Sequence, residues 1–148
     1  MLRIVVWASL VCGLLAAHHL RACRLPARNV FYVIGVCLFA IGMVLRIYSI
    51  IHLGRFFTLK VAIATDHRLI ESGPYGFVRH PSYTGLLMMF FGLGLGIGNW
   101  LSVLVIIIPV FAALWWRMRI EEAALLEALG DSYQCYMKRV KRLVPMIY

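Results

Sequence analysis

From Ser82 to Trp116 the chain runs for 35 residues without one charged side chain. No other feature narrows its possible folds so far. As one continuous helix that run would be about 50 Å long, well beyond the roughly 30 Å hydrocarbon core of a bilayer. The chain must therefore turn back within it, and Gly98-Asn99 supplies the turn chemistry, with Trp100 suited to the interface. The pattern predicts two membrane spans, 82–98 and 100–116, joined as a tight hairpin.

Two further apolar segments precede the hairpin, 4–20 and 30–51, the second carrying Arg46 near its end, where a long side chain can snorkel to the interface. With 63% hydrophobic residues, 14% charged residues and a mean hydropathy of +0.87, the chain lies far from soluble domains, whose charged fraction is about a quarter. The expected fold is all-α: one polytopic integral membrane unit of about four transmembrane helices spanning residues 1–148, with C-terminal helices over 117–142. Gly130 offers a helix stop, Asp131 a cap for a last short helix with Tyr133, Tyr136, Met137 and Val140 on one face, and Pro145 its end.

Lys and Arg outnumber Asp and Glu by 15 to 6, a balance that in a soluble chain would point to nucleic acid. Here the basic residues gather at the ends of apolar segments and in the tail Lys138-Arg139-Val140-Lys141-Arg142, which points to cytoplasmic loops against anionic membrane lipids and away from nucleic acid. The connection 52–80 carries four basic residues and the tail from Arg117 onward six, so both are expected on the cytoplasmic side. Arg21, Arg24 and Arg28 run against that rule. A signal peptide with its apolar region around Ile4 to Ala17 would explain them, but no clean small-x-small cleavage site follows. Cys12, Cys23, Cys37 and Cys135 have no CxxC spacing, so neither a metal site nor a disulfide framework is expected, and buried apolar thiols are the simplest reading.

The chemistry is densest immediately before the uncharged run, in Gly73-Pro74-Tyr75-Gly76-Phe77-Val78-Arg79-His80-Pro81-Ser82-Tyr83-Thr84-Gly85. Pro81 at a first helical position would leave the next backbone N–H groups free at a positive helix end, beside His80: an anion site. Tyr75 and Tyr83 offer aromatic faces to a cation such as a sulfonium. The plainer alternative is an interfacial belt of His, Tyr and Arg that merely anchors the helix. Arg117 and Glu121 share a helix face one turn apart, as a functional pair or as a simple ion pair, while Glu122 and Glu127 fall elsewhere on the helix, where solvent is expected. His18, His19 and His52 sit at segment ends, as interfacial residues do; His67 shares a loop with Tyr75. Gly92-Leu93-Gly94-Leu95-Gly96-Ile97-Gly98 follows no strand, so its overlapping small-xxx-small pairs read as close helix packing rather than a nucleotide loop.

Taken in order, His67-Arg68-Leu69-Ile70-Glu71-Ser72-Gly73-Pro74-Tyr75, then Arg79-His80-Pro81-Ser82-Tyr83-x-Gly85, a hydrophobic hairpin, Glu121-Glu122 with Leu125, Gly130, Tyr133, Tyr136 and Pro145, the sequence resembles the isoprenylcysteine carboxyl methyltransferase family; related phospholipid methyltransferases share much of this pattern. The resemblance covers about residues 52–145. It implies an integral-membrane methyltransferase that uses S-adenosyl-L-methionine without a Rossmann domain. The cofactor site would be formed by the cytoplasmic connection and the C-terminal helices, with a lipid-like or prenylated acceptor arriving from the membrane. By position, the implied cofactor contacts are Lys60, His67, Arg68, Leu69, Ile70, Tyr75, His80, Pro81, Ser82, Tyr83 and Glu121, and the implied substrate contact is Arg117. No dedicated catalytic residue is indicated. A carboxylate acceptor is already ionised at pH 7, whereas an amine such as that of phosphatidylethanolamine must lose a proton, for which Glu121 or His80 would be candidates. The alternatives are thus a phospholipid N-methyltransferase or, from another class, a non-catalytic small membrane protein; the oligomeric state is left open.

Overall fold

In the computed structural model the described residues are 2–19, 23–54 and 69–144, and their regular structure is helical throughout, with two isolated bridges. Helix α1 covers Leu2–His19, α2 Arg28–Leu53, α3 Pro81–Ile97, α4 Trp100–Leu129 and α5 Asp131–Arg139; a short 3-10 turn, Gly73–Gly76, precedes α3. In space the order is α2, α3, α4, α1, each packed on the next. By length and composition α2 and α4 each suffice to cross a membrane, and α1 and α3 are shorter apolar helices. Outward-facing Ile4, Trp7, Val44, Ile51, Ile108 and Trp116 are all more than half exposed. Such a surface calls for hydrocarbon around it, since water would leave these faces as aggregation sites.

The α2–α3 seam is built from glycine. A Cβ on Gly35 would lie 2.5 Å from the Gly92 carbonyl oxygen, and one on Gly42 would lie 2.5 Å from that of Gly85. Both pairs are seven residues apart on their helices, so two antiparallel backbones touch at successive crossings with no side chain between them. In the glycine-rich stretch of α3 the positions divide their work. Gly92 meets α2, Gly94 meets Val103 of α4, Gly96 faces open space, and Gly98 ends the helix at φ 78°. Close packing thus accounts for two of the four.

The hairpin turns where the sequence predicts. Asn99, almost fully buried, accepts hydrogen bonds at its side-chain oxygen from Leu101 N (2.9 Å) and Ser102 N (3.3 Å), and Leu25 N donates to the Gly98 carbonyl (3.0 Å). Polar groups inside the helices bond to backbone, as they must in lipid: Ser102 Oγ donates to Gly13 O (2.7 Å), tying α4 to α1, and Ser49 Oγ to Leu45 O (2.6 Å). Helix α4 continues 30 residues, about 45 Å, so the charged turns from Arg117 onward extend past its apolar stretch.

Three expectations change. Cys12 on α1 and Cys37 on α2 are exposed, because the outside of a membrane helix is as apolar as its inside and a thiol can face lipid; Cys135 on α5 is exposed as well, and Cys23 partly so. Asp131 does not cap α5; Gly130, at φ 54°, is the cap residue, and Asp131 lies in the first turn, where its charge still suits the helix dipole. Arg46 does not simply reach for an interface: its guanidinium turns to the first turn of α3. The expected face of α5 holds, with Tyr133, Tyr136 and Val140 buried against Leu69, Leu125, Leu129 and Met137. Pro145 lies outside the described residues.

Candidate active site

The polar centre of the molecule forms where the start of α3 meets the charged end of α4. The chain enters α3 through Val78, Arg79 and His80, alongside the tail: Arg79 N donates to Lys141 O (2.7 Å), His80 N to Arg142 O (3.0 Å), and Thr84 Oγ1 to Leu143 O (2.8 Å). This pairing presses the basic tail into the protein. Arg142, expected at a lipid surface, instead donates to Glu122 through Nε (2.9 Å) and Nη2 (2.7 Å), with its guanidinium 5.2 Å from the Trp115 ring centroid; Arg139 pairs with Glu71 at 2.8 Å.

Glu122 is the residue that sequence reasoning misplaced. Its side chain is 5% exposed and is held by Arg142, Arg79 Nη2 (3.2 Å) and His80 Nε2 (3.2 Å). Burial opposes its ionisation, but the hydrogen bonds from His80 and Arg142 and the Arg79 charge prevail and hold the carboxyl at about 2. Its face of the helix looks inward because a partner twenty residues on folds back over it, and helical spacing carries no trace of that. Arg79 Nε is buried with no partner.

Glu121, one residue earlier, looks elsewhere. At 20% exposure it accepts a hydrogen bond from Tyr83 OH (2.6 Å) and pairs with Arg117 Nε (2.8 Å), while His80 Nδ1 stands 3.9 Å from its other oxygen. The Tyr83 ring stacks on His80 (centroids 5.5 Å apart, planes at 17°), and the Arg117 guanidinium lies 6.0 Å from its centroid. His80, Tyr83, Arg117 and Glu121 therefore form one connected set, with His80 touching both glutamates. Ser82 joins it through Arg46, whose Nη1 donates to Ser82 O and to Ser82 Oγ, both at 3.1 Å. Pro81, fully buried, starts α3 as expected. The expected row of free N–H groups narrows, however: the His80 carbonyl accepts from Tyr83 N (2.9 Å) and Thr84 N (3.1 Å), so the anion-binding capacity here rests on arginine more than on the helix end.

Tyr75 occupies a more structural position. Its phenol donates to Ser49 O of α2 (3.3 Å), its carbonyl accepts from Tyr136 OH (2.6 Å), and one ring face is covered by His52 (6.4 Å, 21°). Burial, then the Glu121 charge, push its phenol up to about 12, so it remains a neutral donor. His52 in turn reaches Ser72 Oγ (2.9 Å) and is more than an interfacial anchor. Leu69 packs on the α5 cluster and Ile70 is half-buried beside it; Lys60, His67 and Arg68 lie outside the described residues.

Residues 30–132 match the family model described as phospholipid methyltransferase. The chain is 35% identical over 109 residues to the protein-S-isoprenylcysteine O-methyltransferase of Schizosaccharomyces pombe, covering 72% of this chain and 46% of that protein. It is 32% identical over 115 residues to protein-S-isoprenylcysteine O-methyltransferase B of Arabidopsis thaliana, covering 76% and 58%. The fold matches the solved structure of a eukaryotic intramembrane Ras methyltransferase, isoprenylcysteine carboxyl methyltransferase, with a TM-score of 0.81 and 28% identity, over 98% of this chain and 52% of that one. The chain thus spans about half the length of the relatives it matches. Since the matched region takes in α2, the polar entry to α3, the hairpin and the Arg117–Glu122 turns, the chain belongs to the phospholipid methyltransferase family and has the helical fold of its intramembrane isoprenylcysteine carboxyl methyltransferases.

Proposed function

We propose that this protein is an integral-membrane methyltransferase that uses S-adenosylmethionine to methylate a carboxylate on a prenylated or lipid-like acceptor. The observation that carries the reading is the connected set His80, Tyr83, Arg117 and Glu121 at the membrane end of α3, on a fold whose similar proteins are named isoprenylcysteine O-methyltransferases. These side chains suit the cofactor: a partly exposed carboxylate beside stacked aromatic and imidazole rings favours a cationic group. Tyr83, Glu121, His80, Ser82 and Pro81 would hold it, with Leu69, Ile70 and Tyr75 behind them and Lys60, His67 and Arg68 completing the set. S-adenosylmethionine supplies an electrophilic methyl group when bound. Arg117 would grip the acceptor carboxylate and turn one of its oxygens toward that methyl group, and because the carboxylate is already ionised at pH 7 no residue of the chain has to take up a proton. The protein's task is then alignment and exclusion of water.

We read the chain as four spans, with the 52–80 connection and the C-terminal helices on the cytoplasmic side. Cysteines introduced into the connection should resist labelling from outside intact cells and label after permeabilisation. The family model's description favours a second reading, phospholipid N-methylation. For an amine acceptor His80, anchored at Nε2 by Glu122, is the candidate base. Methyl-labelled S-adenosylmethionine, offered to the purified protein with a prenylcysteine and with phosphatidylethanolamine vesicles, separates the two: label in a base-labile ester supports the carboxylate reading, and label in the lipid headgroup replaces it.

A further inference from the structure

We propose that Arg142, on the C-terminal tail, is a positioning residue: through Glu122 it fixes the His80 ring so that Nδ1 faces Glu121 as a hydrogen-bond acceptor. The consequence for the cofactor rests on the methyltransferase reading; the hold on the ring does not. Arg142 grips His80 at both ends. Its carbonyl accepts from His80 N (3.0 Å), and its guanidinium acts on the imidazole through the glutamate between them.

The second grip has a defined geometry. Arg142 Nε (2.9 Å) and Nη2 (2.7 Å) both meet Oε2 of Glu122, and Nε stands 3.1 Å from Oε1. This fork sets the plane of the carboxylate and turns Oε1 toward His80 Nε2 and Arg79 Nη2, each at 3.2 Å. The Trp115 ring backs the guanidinium, and the carbonyls of Lys141 and Leu143 anchor the tail on either side of it to Arg79 N and Thr84 Oγ1. A carboxyl held well below its ordinary range can only accept, so the proton of this contact sits on His80 Nε2. In a neutral imidazole Nδ1 is then the acceptor. It faces Glu121 Oε2 at 3.9 Å, beyond direct hydrogen-bond distance. Two acceptors so placed suit a single donor group between them, an ammonium or a pair of hydroxyls, and S-adenosylmethionine carries both. Without the fork the carboxylate is free to rotate and the imidazole proton to move to Nδ1, which removes one of the two acceptors. The carbonyl bond to His80 N belongs to the backbone and survives any substitution at Arg142, so the tail keeps its place.

The test reads the ring first. Nitrogen NMR of the full chain, labelled at histidine and held in lipid nanodiscs at about pH 8.5, roughly two units above the ordinary imidazole value, identifies the tautomer. His80 is assigned by the signal that His80→Gln removes. Wild type should show the Nε2–H form alone, and Arg142→Gln a mixture with Nδ1–H. Arg142→Lys, which keeps the charge without the fork, should fall between them, and it carries both readouts if Arg142→Gln does not fold. By calorimetry, S-adenosylhomocysteine affinity should fall about fivefold in Arg142→Gln, the scale of one net hydrogen bond. His80→Gln keeps a donor toward Glu122 and lacks Nδ1; in that background the Arg142 substitution should cost less than about twofold more. One unchanged ring form in wild type and the Arg142 variants overturns the proposal. So does an affinity loss as large with His80→Gln as without it, since Arg142 would then act independently of the ring. Wild type that shows the expected ring form but binds no S-adenosylhomocysteine overturns the methyltransferase reading and supports the hold on His80.

Discussion

Glu121 and Glu122 are neighbours in sequence and opposites in circumstance. About 100° of helical rotation puts Glu122 inside, saturated by Arg79, His80 and Arg142, and leaves Glu121 on a partly open face with Tyr83 and Arg117. The comparison separates scaffold from site: a carboxylate with three cationic or imidazole partners at 5% exposure has no capacity left for a ligand, whereas one at 20% exposure does. His80 joins the two, so the α3 entry is fixed by the buried side and presented to the open side.

The largest expected effect breaks the buried side. Glu122→Gln removes the buried charge on which Arg79 and Arg142 converge, and thermal unfolding in detergent should show a loss on the order of 3–5 kcal/mol, against less than about 1 kcal/mol for Glu121→Gln. Equal losses would erase the distinction. Next comes the seam that delivers α2 to the site. Gly42→Val places a methyl group against the Gly85 carbonyl, and a loss of about 1–3 kcal/mol is expected, as for overpacking elsewhere. On the open side, Arg117→Lys should lower turnover of a carboxylate acceptor about tenfold with cofactor affinity within about twofold, because an ammonium cannot reproduce the guanidinium's fork. If a double-mutant cycle instead accounts for Arg117 and Glu121 as one ion pair with no ligand effect, their role is structural.

The smallest effect is a pH dependence. The Glu122 carboxyl is lowered from 4.5 to about 2 in the folded protein, so its stabilisation is fully present above about pH 4.5 and lost as pH falls toward 2. Between about pH 5 and 4 the expected loss is roughly 0.7 kcal/mol, and Glu122→Gln should flatten that part of the acid unfolding profile.

Much of this arrangement is legible in the sequence, for identifiable reasons. The uncharged run forces a hairpin because bilayer thickness is a hard limit, and Gly98-Asn99 is the break within it with both a left-handed residue and a capping side chain. The Tyr83, Arg117 and Glu121 group is anticipated by motif order together with the i,i+4 spacing. Glu122 is not, since its partners Arg79 and Arg142 come from two segments whose pairing is a tertiary event. The tail's basic run reads as membrane-surface charge for the same reason; nothing local distinguishes Arg142, which is drawn inward, from exposed Lys141. Arg46 reads as a snorkelling residue because the seam that turns it toward Ser82 depends on glycines in two helices at once.

The most direct test of the account is a calorimetric titration of S-adenosylmethionine into detergent-solubilised wild-type protein and Glu121→Gln, with the unfolding midpoint of each recorded in the same buffer. The account predicts binding by wild type and a loss on the order of tenfold or more in Glu121→Gln at a nearly unchanged midpoint, as expected for a charge-assisted contact to the ligand. Wild-type affinity retained in Glu121→Gln, or no binding by a well-folded wild type, would contradict it.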